Sequence, residues 1–189
     1  MAMKRMLVMA AMVCCAMSAS AQTGAQVAPA ATFNGLLSSS ETQMVSLVKA
    51  MPADKFGFAP SAAIFVPSQK TEFTGVRTFG ALVVHVAQAN YGLGGRIGGP
   101  KPTVDTAALA KLTDKDQIVA ALEASFAYVH TAIGTLTPEN VFESAKGPMP
   151  DGTRGSMAAF VAVHTSDEYG QMVEYLRMNG MVPPASVKK

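Results

Sequence analysis

The chain has 189 residues, 49% of them hydrophobic and 15% charged, with a formal charge of +2, a size that suits one domain. It has no basic run and no interleaving of basic with aromatic residues, which argues against nucleic-acid binding. Both cysteines, Cys14 and Cys15, lie in the first 21 residues, so the domain that follows has neither a disulfide nor a thiolate ligand to draw on.

Residues 1–21 read as an export signal. Lys4 and Arg5 form a positive start, Met6 to Met17 an apolar stretch, and Ala19-Ser20-Ala21 a small-residue cleavage site ahead of Gln22. The apolar stretch is too short for a stable membrane anchor, so a periplasmic or secreted location is expected. Without Lys4 and Arg5 the 15 basic residues fall to 13, equal to the 13 acidic ones. Residues 22–32, small and rich in Pro and Ala, are expected as a flexible leader. Residues 33–189 then form the domain.

Four helical stretches follow in chain order. The first runs from about Phe33 to Ala50, with Leu36, Leu37, Met44, Leu47 and Val48 at helical spacing and Pro52 as its stop. The connection from about Met51 to Val76 is long for a bundle and holds a short β-prone run, Ala63-Ile64-Phe65-Val66, between prolines. The second helix runs from about Arg77 to Leu93, with Phe79, Leu82, Val83, Val86 and Asn90 along one side and the glycines from Gly92 to Gly99 closing it. The third starts near Thr113, read as an N-cap ahead of first-turn acids, and carries Ile118, Leu122, Phe126, Val129, Ile133 and Leu136. The fourth runs from about Gly155 to Asn179, with Gly180 and Pro183-Pro184 as a stop. Four helices and no convincing strand make the expected fold all-α, a four-helix bundle.

The fourth helix carries the main chemical signal. Met157, Val161, His164, Glu168, Gln171 and Tyr175 share one face, which places a histidine and a carboxylate one turn apart in an apolar row. Two ionisable groups there are costly to bury unless they are paired or hold a cation. Imidazole and carboxylate together suit Zn, Ni, Mn or Fe. Equally, Glu168 could pair with Arg77 or Arg96. The other histidines are His85 on the second helix and His130 on the third; His130, at the edge of the apolar face, reads as a hydrogen-bonded structural residue. No Gly-x-Ser-x-Gly elbow occurs, and the glycines after the second helix follow a helix rather than a strand, so they read as a flexible loop and not a phosphate cradle.

Three segments taken in order resemble the DinB-like superfamily of metal-dependent four-helix bundles: Ala50-Met51-Pro52-Ala53-Asp54-Lys55-Phe56, the stretch from Arg77 to Tyr91, and the stretch from His164 through Tyr169-Gly170-Gln171 to Ser186. The resemblance spans about Phe33 to Ser186 and implies a metal triad with one histidine on the second helix and two, one turn apart, on the last. His85 and His164 match the first two positions. The third falls on Glu168, where the family pattern has histidine before Tyr-Gly-Gln. The implied centre is therefore His85, His164 and Glu168, with Gln171, Tyr169 and Asn90 as supporting hydrogen-bonding residues. Better-understood relatives are thiol-dependent transferases and isomerases, and others are taken as hydrolases; an exported protein would not meet a cytosolic thiol pool. The expected function is an exported metal-dependent hydrolase or transferase acting on an unidentified small molecule, as a monomer or homodimer. The alternative is a non-catalytic or metal-free bundle that binds or scaffolds in the cell envelope.

Overall fold

Proline at the first helical position has a preset φ and loses no hydrogen bond there, and Pro29 begins helix α1 (Pro29–Ala50). The structure, a computed structural model, describes residues 27–61 and 72–187. The expected export signal and the run Ala63–Val66 lie outside those residues. Helix α1 starts four residues before Phe33, so the last part of the expected flexible leader, from Pro29 onward, is helical. Its buried stripe is Leu37, Met44, Leu47 and Val48, while Leu36 is half exposed.

Helix α2 (Phe79–Ile97) is capped by the Thr78 side chain, which accepts from the Ala81 N–H. It does not stop near Leu93 as expected, but passes through Gly94 and Gly95 to a left-handed cap at Gly98 (φ 114°). A helical glycine costs about 1 kcal/mol relative to alanine, and close packing compensates at Gly94. A Cβ there would stand 2.5 Å from Tyr128 Cε1, so the absence of a side chain lets that ring lie against the helix backbone. The Tyr128 hydroxyl then donates to the Pro100 carbonyl at 2.8 Å.

Helix α3 (Lys115–Ile133) is capped one residue later than expected, by Asp114 rather than Thr113. The Asp114 carboxylate accepts from the Gln117 N–H at 2.9 Å. Helix α4 (Arg154–Met178) opens with a capping box, in which Thr153 and Ser156 each accept from the other's backbone N–H. It ends at Gly180 (φ 73°) in a Schellman arrangement, with Met181 N–H bonded to Leu176 O and Gly180 N–H to Arg177 O.

Helix α1 packs on α3 and α4, and α2 packs on the same two. The pairs α1/α2 and α3/α4 are therefore diagonals of a four-helix bundle. This explains the long connections 51–78 and 134–153: each carries the chain from one corner to the opposite one. The core between the helices includes Leu37, Met44, Phe79, Val86, Leu122, Phe126, Met157, Met172 and Leu176. Among the described residues no helix is long and apolar enough to cross a membrane.

His130 belongs to this framework. Its Nδ1 faces Asn34 Oδ1 at 2.6 Å and its Nε2 faces Glu41 Oε2 at 2.8 Å, tying α3 to α1. The pair is partly exposed, so His130→Ala is expected to cost about 1 kcal/mol. That corresponds to a fall of about 2–4 °C in melting temperature, with metal uptake unchanged. Lost metal uptake in this variant would contradict the structural role.

Candidate metal centre

Helices α2 and α4 are direct neighbours, and each turns one chemistry-bearing row toward the other. The row on α2 brings His85, and the row on α4 brings His164 and, one turn later, Glu168. Three atoms converge. His85 Nε2 lies 3.3 Å from His164 Nε2, Glu168 Oε1 lies 3.4 Å from His85 Nε2, and the same oxygen lies 3.7 Å from His164 Nε2. Among the described residues this is the one group of three or more His, Cys, Asp or Glu side chains placed to hold a metal ion.

The spacing suits a cation. Ligands at about 2.1 Å in a tetrahedral arrangement stand about 3.4 Å apart, close to the three separations observed. Glu168 is buried, at 6% exposure, and its second oxygen, Oε2, has no hydrogen-bond partner. A carboxylate in that position is hard to account for by packing alone. The expected alternative of an ion pair with Arg77 or Arg96 is not formed. His164 Nδ1 is also buried without a partner, so no acceptor fixes the tautomer that would present Nε2 to a metal.

Electrostatics bias the two histidines toward the form that can bind a cation. Burial lowers the pKa of His85, with Arg77 pushing the same way. Burial lowers that of His164 as well, followed by the neighbouring His85; Asp167 opposes the shift and Arg77 adds to it. Both rings are thereby biased to the neutral, metal-binding form. Burial raises the pKa of Glu168, Asp167 raises it further, and Arg77 counters both.

The expected supporting residues are not where hydrogen bonding to the three ligands would put them. Gln171 is exposed, and its amide donates to Asp167 Oδ2 at 3.4 Å. Asn90 is fully buried but donates to Ser125 Oγ at 3.0 Å, toward α3. Tyr169 packs against the core, and no hydrogen bond links it to the triad. Helical periodicity sets the face on which a residue lies, but reach and rotamer decide its partner.

A feature without a local sequence signal adjoins the centre. A cavity of about 480 Å³ opens beside His85, bounded by the turn Ala53–Lys55, the start of α2 and the segment ahead of α3. Its walls come from three separate parts of the chain, so no single motif marks them. Tyr175 on α4 donates to the carbonyl of Arg77, one of the lining residues, at 2.9 Å.

A family model described as the DinB superfamily matches residues 36–172, most of the chain. The chain belongs to the DinB superfamily. Among curated proteins none matches it. The match takes in the four helices from Leu36 to Met172, and with them His85, His164 and Glu168. The three side chains that the DinB resemblance implies as a metal site are thus those that the bundle brings together.

Proposed function

We propose that this DinB protein is an exported metal-dependent enzyme, a hydrolase or transferase acting on a small molecule in the cavity beside His85. The observation that carries the reading is the convergence of two Nε2 atoms and one carboxylate oxygen at metal-ligand spacing, with the second carboxylate oxygen buried and unpartnered. Zn, Ni, Mn or Fe would be held by His85, His164 and Glu168, supplying Lewis acidity and a lowered pKa for bound water. Glu168 adds a negative charge that a histidine at this position would lack, favouring harder cations than an all-histidine set does. The chain's own contribution is positional. The neutral rings of His85 and His164 leave lone pairs free, Phe56, Val84 and Ile118 give the cavity an apolar wall, and α2 holds His85 at the cavity surface.

The test is metal analysis of tag-free protein taken from the exported fraction. About one equivalent per chain is expected, on a polypeptide that mass spectrometry shows to begin at Gln22. No uptake after reconstitution with Zn, Ni, Mn and Fe would sink the metal-enzyme reading, and retention of residues 1–21 would sink export.

A further inference from the structure

The cavity beside His85 has one charged wall. Among the described residues that line it, only Arg77 carries a full charge, and none is a carboxylate. Among the described residues Arg77 has no ion-pair partner; Tyr175 bonds its backbone carbonyl and leaves the guanidinium uncommitted. Burial dominates the shifts at the neighbouring centre; the Arg77 charge adds to the lowering of His85 and His164 and counters the raising of Glu168. The other polar groups around the cavity are largely engaged. Phe79 and Gly80 N–H donate to the carbonyls of Phe58 and Phe56, each at 2.8 Å. Ala81 N–H donates to Thr78 Oγ1, and the Gln88 amide donates to Thr106 O at 2.8 Å. Anion recognition in this space therefore falls to the arginine, whose planar fork matches a carboxylate. Much of the remaining wall is apolar: Phe56, Val84, Leu112 and Ile118. The volume is that of an ordinary small-molecule site.

We infer that the cavity takes a small carboxylic acid with an apolar body, its carboxylate held by Arg77 and its reacting part turned toward His85, His164 and Glu168. This specificity assignment rests on the metal-centre reading. Arg77 acts here as a substrate-binding residue, and with no acidic side chain among the described lining residues, like-charge repulsion is kept away from the ligand.

The test uses the full chain loaded with zinc, with 4-phenylbutyrate and its uncharged amide, 4-phenylbutanamide, as probes in calorimetric titrations. The acid should bind at least about tenfold more tightly than the amide, the scale of one charge-assisted contact. Arg77→Met should erase that preference, and Arg77→Lys should keep part of it. Ala110→Asp, which adds a carboxylate to the cavity wall, should weaken the acid and spare the amide. Both Arg77 and Ala110 are exposed, so melting temperatures close to the parent's are expected and check that the variants fold. Equal binding of acid and amide by the parent, no binding of the acid, or a preference that survives Arg77→Met would overturn the inference. Zinc uptake is recorded alongside. Normal uptake with no Arg77-dependent preference removes the anion site and leaves the metal centre standing. An Arg77-dependent preference in protein that takes up no zinc supports the anion site and removes the metal centre.

Discussion

Exchanging Glu168 for alanine is expected to weaken zinc binding by about a hundredfold or more, while Glu168→His retains it or tightens it. Loss of an outer hydrogen-bonding partner already costs about 10–100-fold in metal affinity, and Glu168 stands within direct ligand range of both histidines. Histidine at this position would restore the all-nitrogen triad that the DinB resemblance implies, and zinc accepts such a set readily. The two variants separate a ligand from a bystander, which neither does alone. Competition with a chromophoric chelator gives the affinities, and thermal melts of the metal-free proteins show whether folding has changed. Alanine is expected to leave the metal-free fold at least as stable, because it removes a buried carboxyl group that has one oxygen unpartnered. If alanine, histidine and the parent bind zinc alike, Glu168 is not a ligand, and the scaffold reading gains what the enzyme reading loses.

Zinc affinity should hold steady as the pH falls from 8 toward 6.5 and then drop, by about tenfold per pH unit for each histidine that must give up a proton. The onset lies below the ordinary histidine value of 6.5 because burial lowers both His85 and His164. Glu168 works in the opposite sense: its raised pKa makes protons compete for it at a higher pH than for a carboxyl group at 4.5. The same shifts govern the metal-free fold. The two histidines bind fewer protons folded than unfolded, so stability falls as the pH drops below 6.5 and through their lowered values. Glu168 binds more protons folded than unfolded, so its contribution is fully present below 4.5 and is lost as the pH rises through its raised value. At neutral pH a bound cation should offset that loss. With zinc at 100 times its dissociation constant the stabilisation is about 2.7 kcal/mol. Chelator titrations and melts at pH 8, 7, 6 and 5 check both parts, and a zinc affinity unchanged across that range would refute the assignment of imidazole ligands.

The candidate site was legible in the sequence to different depths. His164 and Glu168 are four residues apart on one helix, and that relation is local, so periodicity alone placed them on the same face. His85 is 79 positions away from His164. Only the family resemblance proposed it as their partner, because nothing local specifies which helices become neighbours. In three dimensions none of Gln171, Tyr169 and Asn90 hydrogen-bonds to the three converging side chains. Gln171 shares the helical row with Glu168, yet its amide reaches Asp167 in the solvent instead.

The glycines after Leu93 give the same contrast at the level of the fold. Their low helix propensity argued for a stop, and the Tyr128 ring from α3 turned Gly94 into a packing position within α2. Likewise Thr113 and Asp114 are both good caps by composition, and the reach of the Asp114 carboxylate to the Gln117 N–H settled between them.

By itself the sequence determined four amphipathic helices, their stops at Pro52 and Gly180, and a His/Glu pair one turn apart, because each is fixed by interactions within a few residues. The tertiary structure decided that α1 and α2 stand diagonally and that His85 meets His164 and Glu168. It also decided that Arg77 lines a cavity whose apolar walls come from distant segments. Those outcomes depend on which surfaces bury each other, and burial is a property of the packed chain rather than of any stretch of it.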